Sequence, residues 1–191
     1  MPYFTTETEK HEGQNGHSAD ELAIMNRRYD ELIEDVEPVN EDEGQTEETR
    51  TEEIDSLIAD IRDEIDCATE EEKAFVEYLH SCENEDIWFD DIDTAKYQFY
   101  GGGAVISQGR SSEYAVIPEC DIEEVFKEYA HHFADDCIIP GKADETLKRY
   151  FDYDAFTKDL SNDGYGIMSS YDGNYEEITF DGVTYYVFRL N

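Results

Sequence analysis

The chain has 191 residues, with 50 acidic against 14 basic side chains and a formal net charge of −36 at pH 7. A surface of that sign repels nucleic acid and anionic membrane and attracts basic partners. Apolar residues at 39% and aromatic residues at 13% supply enough material for a core, which excludes a wholly disordered chain.

Residues 1 to 18 are polar, show no apolar period and read as a loose tail. They contain no apolar leader core, and no later segment approaches the roughly 20 apolar residues that span a bilayer, so a soluble cytoplasmic protein is expected. Ser18, with Glu21 three residues on, forms a capping-box pattern. Leu22, Met25, Tyr29, Leu32, Ile33 and Val36 then recur at helical spacing as far as Pro38. Asn40 to Thr51 contains no apolar residue and reads as an acidic linker. Ile54, Leu57, Ile58, Ile61 and Ile65 place one apolar stripe on a helix from about Glu52 to Asp66. Thr69 with Glu72 is a second capping-box pattern, opening a short helix whose apolar members are Phe75, Val76 and Leu79.

Between Tyr97 and Ile117 the apolar period falls toward two, punctuated by Gly101, Gly102, Gly103 and Gly109, which predicts a small antiparallel sheet or hairpin. A helical stripe returns in Ile122, Val125, Phe126, Tyr129 and Phe133, behind Asp121 as cap with Glu124 at the third position, and ends at Pro140-Gly141. Short helical turns are expected around 147–150 and 153–160. Asp181-Gly182 between two β-rich runs predicts a terminal hairpin with a type I′ turn, in which Phe180 faces Val183 and Ile178 faces Tyr185.

The acids are not evenly spread: residues 30–72 carry 20 acids against two bases, half of the whole excess. Carboxylates three and four residues apart on a helix lie about 5–6 Å apart, close to the spacing of neighbouring phosphates. Duplex DNA carries one charge per about 1.7 Å of axis, so this net charge matches roughly 60 Å of duplex. The candidate phosphate-mimicking acids are Glu52, Glu53, Asp60, Asp63, Glu64, Glu70, Glu71 and Glu72 in the acidic helices, and Asp90, Asp91 and Asp93 beyond Trp88. Farther along they are Asp121, Glu124, Asp135, Asp136, Asp152, Asp154 and Asp159.

Taken singly, an acidic run is more often only a solvated face, and adaptation to a high-salt interior would also give such a balance. Neither calcium-loop ladder spacing nor a phosphate loop, GxSxG or HExxH motif occurs. His131 and His132 are adjacent in a helix and point to different faces. The four cysteines, Cys67, Cys82, Cys120 and Cys137, lie 15, 38 and 17 residues apart without a CxxC pair. No catalytic residue, metal site or cofactor is expected, and the thiols are expected to be reduced.

Tyr150, Asp152, Tyr153, Ala155, Phe156, Asp159 and Leu160, followed by Tyr186-Val187-Phe188, form a pattern that resembles the C-terminal domain of the ArdA antirestriction proteins. The resemblance covers about 70 residues. It implies a dimer that mimics bent duplex DNA, inhibits type I restriction–modification enzymes and needs no cofactor. The expected fold is α+β: an elongated, acidic helical N-terminal half, and a C-terminal α+β domain with a terminal β-hairpin. Expected divisions are 1–51 for tail, helix and linker, 52–118 for helices and a glycine-rich β segment, and 119–191 for the ArdA-like domain. The expected function is DNA-mimic inhibition of a type I restriction–modification enzyme. The alternative is an acidic module that sequesters another basic or DNA-binding protein. Self-repulsion opposes compactness, so raising salt from about 0.01 to 0.15 M, which shortens the screening length from about 30 to 8 Å, is expected to raise the thermal midpoint. A scanning-calorimetry series checks this; an unchanged midpoint would contradict it, and folding only at molar salt would favour high-salt adaptation.

Overall fold

The computed structural model describes residues 3–5, 16–34, 36, 47–83, 85, 87–109, 111–139 and 145–191. Most of the tail expected at 1–18, the first part of the linker, and Pro38, Pro140 and Gly141 lie outside the described residues. The fold is α+β, with a five-stranded antiparallel sheet and six α-helices among the described residues. The chain divides into two compact units, residues 1–73 and 74–191.

In the first unit, α1 (Ala19–Ile33) opens with the full capping box. Ser18 N donates to Glu21 Oε2 at 2.8 Å, and Glu21 N donates to Ser18 Oγ at 3.1 Å. Its Leu22, Ile24 and Met25 are buried with Ile58, Ile61 and Ile65 of α2 (Glu47–Cys67), so one stripe of each helix closes the core of this unit. Two expectations change here. Residues 47–51, read as linker, are the first turn of α2: once a helix is nucleated each added residue gains a hydrogen bond, and Glu and Arg are good helix formers without any apolar contact. Phe4, read as part of a loose tail, is 1% exposed. It is held by two 2.9 Å hydrogen bonds, Phe4 N to Asn26 Oδ1 and Asn26 Nδ2 to Phe4 O. Tyr3 stacks on Tyr29 beside it, with ring centroids 4.9 Å apart.

Helix α3 (Glu70–Tyr78) opens with the expected Thr69–Glu72 box, at 2.8 and 3.2 Å, and runs into a π-helical turn at Leu79–Glu83. The strands of the second unit are β1 (Ile92–Gln98), β2 (Ala104–Gln108), β3 (Ser112–Pro118), β4 (Glu176–Phe180) and β5 (Val183–Arg189), in the order β1-β2-β3-β5-β4. Strand β3 pairs with β5, Val116 opposite Val187, so the segments before and after residue 118 share one sheet. The divisions expected at 51/52 and 118/119 therefore differ from the division into residues 1–73 and 74–191, because long-range strand pairing leaves no mark on local sequence. The β4–β5 turn has Asp181 and Gly182 both at positive φ, as type I′ demands, with Phe180 opposite Val183 and Ile178 opposite Tyr185. Phe180 is buried while Val183 is 40% exposed, so the apolar face fades at the turn.

Both faces of the central strands are covered, which is why Tyr114 to Ile117 form an unbroken buried run. On one face Ala115, Ile117 and Phe188 pack with Met168 and with Ile122, Val125 and Phe126 of α4 (Ile122–Phe133). On the other, Tyr114 meets Phe75 and Tyr78 of α3, with centroids 4.9 and 6.1 Å apart. A π-helical turn (Ala134–Ile138) ends α4, and α5 (Glu145–Tyr150) and α6 (Tyr153–Ser161) follow. The exposed acids Asp93 on β1 and Glu176 and Glu177 on β4 sit on the two edge strands, where charge deters pairing with another chain.

Strands β1 and β2 are joined by a tight turn in which Tyr100 adopts left-handed geometry (φ 46, ψ 42) and Gly103 has φ 70. A Cβ on Gly103 would stand 2.7 Å from Ile117 Cγ1 and 2.8 Å from the Val116 carbonyl oxygen. Gly103→Ala is accordingly expected to destabilise the protein by about 2 kcal/mol or more, combining an unfavourable φ with a clash against backbone. Urea unfolding measures this directly; a loss below about 0.5 kcal/mol would contradict the packing described.

Candidate acidic interaction surface

Helix α2 buries Ile58, Ile61 and Ile65 and half-buries Ile54 and Leu57. With that stripe turned inward, Glu52, Glu53, Asp55, Asp60, Asp63, Glu64 and Asp66 are all exposed. Asp60 neighbours Asp63 and Glu64 at three and four residues, a like-charge arrangement that costs an isolated helix about 0.2–0.5 kcal/mol per pair. Core packing of the isoleucines offsets that cost, and a cationic partner would relieve it. The one basic residue within this acidic run, Arg62, carries its guanidinium 5.5 Å from the centre of the Phe4 ring. Asp55 and Asp66, outside the candidates named from the sequence, belong to the same face by the helical period, and Asp66 Oδ1 lies 3.2 Å from His17 Nε2.

The run Glu70-Glu71-Glu72 is less available than its sequence implies. Glu70 Oε1 accepts from Lys73 Nζ at 2.9 Å, and Glu72 is committed to capping Thr69. Glu71 is half-buried. Lys73, itself buried, also donates to Glu21 Oε1 at 2.6 Å. Burial disfavours charge on both partners, yet the hydrogen bonds from Lys73 and from Ser18 N hold the Glu21 carboxyl below the ordinary range. Burial likewise opposes the Lys73 charge, but hydrogen bonds to Glu21 and Glu70 outweigh it and raise the ammonium above its usual value.

In the second unit the candidates divide again. Asp90, Asp93, Glu124, Asp136, Asp154 and Asp159 are exposed. Asp154 stands 3.8 Å from Lys127, an exposed pair of little energetic weight. Others hold local structure. Asp91 Oδ2 accepts from Trp88 N at 3.4 Å, and Asp152 caps α6 by accepting from Ala155 N at 3.0 Å. Asp135 accepts from Lys148 Nζ at 2.8 Å and from the Tyr153 hydroxyl, and these donors hold its carboxyl below the ordinary range. Asp121 stands at the N-cap of α4 in αR geometry and its side chain makes no capping hydrogen bond, contrary to expectation. Its carboxylate lies beside the Cys120 thiol and pushes that thiol up.

Of the residues carrying the family resemblance, Tyr150 is 79% exposed, and Phe156 stacks against Phe133 with centroids 6.4 Å apart. Tyr186, Val187 and Phe188 lie in β5, where Phe188 is fully buried. His131 and His132 point apart, the first against Tyr153 and the second against Tyr100, at 4.9 and 5.4 Å. Among the described residues no group of three or more His, Cys, Asp and Glu is placed to hold a metal ion, and no helix is long and apolar enough to cross a membrane. The four thiols are unbridged and exposed. No family model, characterised sequence or solved structure matches this chain.

The Glu21–Lys73–Glu70 group yields a signed pH dependence. Because the Glu21 pKa is lowered, its contribution is present above about pH 4.5 and is lost as pH falls through the folded value; because the Lys73 pKa is raised, its contribution is present below about pH 10.5 and lost above the folded value. Lys73→Met is expected to cost about 2 kcal/mol at pH 7. In urea titrations the gap between the parent and this variant should narrow below pH 4.5 and above pH 10.5. A gap constant across that range would contradict the ion-pair account.

Proposed function

We propose that this chain is a non-enzymatic DNA mimic that occupies the DNA-binding groove of another protein, with a type I restriction–modification enzyme the favoured target. The observation that carries the proposal is the exposed face of α2. From Glu52 to Asp66 it presents seven exposed carboxylates. Those 15 residues rise about 21 Å, so a carboxylate occurs on average every 3–4 Å of helix axis, and the phosphates of one DNA strand recur every 3.4 Å or so. A groove lined with Lys and Arg would meet a similar linear charge density on either ligand, and counterion release would drive both associations.

The choice of target rests on the resemblance of the C-terminal segment to the ArdA proteins. The segment's exposed acids, including Asp136, Asp154 and Asp159, would extend the anionic surface. Acids already committed to caps and internal ion pairs, Glu70, Glu72, Asp135 and Asp152 among them, contribute field rather than direct contacts. The work is shared, so no single carboxylate is essential.

The test is capture of purified type I restriction–modification enzyme at about 0.15 M salt, within the range where phosphate-like contacts still contribute strongly, with duplex DNA titrated in as competitor. Displacement by DNA is the expected result. Binding that duplex DNA leaves untouched would instead favour sequestration of a basic protein away from its DNA groove, and absence of binding would remove this target. Asp60→Asn alone is expected to lower the salt slope by about one unit at most, whereas the triple reversal Asp60→Lys, Asp63→Lys and Glu64→Lys should weaken binding by about a hundredfold or more.

A further inference from the structure

The five-stranded sheet ends on one side at β4 (Glu176–Phe180), and the outer edge of that strand is open. We propose that this edge binds an extended basic segment of a partner protein as a further strand, an association that goes beyond mimicry because it uses main-chain hydrogen bonding of a kind DNA does not offer.

The turn fixes which backbone groups face outward. In a two-residue type I′ hairpin the residues flanking the turn exchange both of their hydrogen bonds, so Phe180 points its N–H and C=O at Val183. Alternation along the strand then turns Ile178 and Glu176 toward β5 and leaves the N–H and C=O of Glu177 and Thr179 pointing away from it. Among the described residues no backbone hydrogen bond reaches β4 from that side, and Glu176, Glu177 and Thr179 are all exposed. A row of open donors and acceptors at strand spacing is a template for another strand.

The side chains decide which strand fits. Glu176 lies opposite Val187, and Val187 opposite Val116, on the α3 face of the sheet; Glu177 lies opposite Tyr186, and Tyr186 opposite Ile117, on the α4 face. Each face of the edge therefore carries one carboxylate. A second copy of this chain, with its net charge of −36, is repelled. Two consecutive Lys or Arg residues point to opposite faces of an incoming strand, so each would meet one carboxylate at a Cβ separation of about 5 Å. Ile178 is half-buried and favours an apolar residue opposite it, and Thr179 favours a β-branched one. All pairings in this sheet are antiparallel, and an occupant in that orientation reads Thr-Val-Lys-Lys opposite Thr179, Ile178, Glu177 and Glu176 in turn.

The other edge lacks this combination. Strand β1 pairs with β2 through a register shift between Thr94 and Gln98 and carries both Asp93 and Lys96, so neither its backbone row nor its charge is uniform.

The test is titration of the isotope-labelled protein with an acetylated, amidated octapeptide that has Thr-Val-Lys-Lys at its centre, followed by amide chemical shifts at about 0.05 M salt, where exposed charges are weakly screened. The Glu177 and Thr179 amides should shift, and their hydrogen exchange should slow by about tenfold or more at saturation. N-methylation of the Thr and the first Lys, whose N–H groups would face β4, should lower affinity about tenfold or more. N-methylation of the Val and the second Lys should change it by no more than about twofold. Glu in place of both Lys should abolish binding, and Glu176→Gln with Glu177→Gln should weaken it about fivefold. Thr179→Pro removes an N–H that the sheet itself does not use, and should fold as the parent does yet bind about tenfold more weakly. Equal affinity for the two N-methylated peptides, or a shift map that leaves Glu177 and Thr179 unmoved, would overturn strand addition. Both peptide comparisons use the parent protein, so they decide the outcome whatever the stability of the Pro variant. No restriction enzyme or DNA takes part, so the result is separate from that of competition by duplex DNA.

Discussion

An unpaired carboxylate cannot be buried, and with 50 acids against 14 bases most acids of this chain have no cation to accompany them inside. Everything else in the architecture answers to that constraint. An acid-rich helix turns its uncharged stripe inward, so the isoleucines of α2 face α1 and its carboxylates face solvent. Where an acid is drawn toward the interior a base is drawn with it, as in the Glu21–Lys73–Glu70 group. Acids near helix ends are put to local use in caps, where backbone N–H groups take the part of the missing cations. The remainder forms the surface, and its mutual repulsion is a standing cost that a positively charged partner would remove.

The sheet is what lets the second unit bear that cost. Its central strands are covered on both faces by aromatic and aliphatic side chains, with Phe75 and Tyr78 on one side and Phe126, Val125 and Met168 on the other. Burying aromatic rings removes large areas from water. Tyrosines at the margin, such as Tyr165, Tyr175 and Tyr186, stand with centroids 5.6 to 6.3 Å apart and extend this packing outward. Burial, reinforced by neighbouring Glu123 and Glu177, raises the phenol pKa values of Tyr165 and Tyr186 and keeps these rings neutral among the acids.

What could be read from sequence was what is local and periodic. The capping boxes at Ser18 and Thr69, the stripe of Ile58, Ile61 and Ile65, and the turn at Asp181-Gly182 each rest on residues within a few positions of one another. The anchoring of Phe4 by Asn26 and the pairing of β3 with β5 join residues 22 and about 70 positions apart, and no local pattern announces either. Helix α2 starts five residues before its apolar stripe suggests, because Glu47 to Thr51 lack apolar residues and a helix needs only propensity once nucleated next door. The candidate surface divides in the same way. Exposed carboxylates such as Asp60 and Glu64 followed from the helical period, but the separation of Asp135 and Glu70, tied to lysines, from acids that face solvent depends on tertiary placement.

Mimicry requires the acidic surface to behave toward a DNA-binding protein as DNA itself does. The most direct measurement is the dissociation constant of the complex with type I restriction–modification enzyme across a salt series, set beside that of the same enzyme with duplex DNA. Mimicry predicts two straight lines of log Kd against log salt with similar steep slopes, each corresponding to about six or more phosphate-like contacts. A shallow slope for the protein beside a steep one for DNA would contradict it, because the association would then rest on contacts other than the carboxylates.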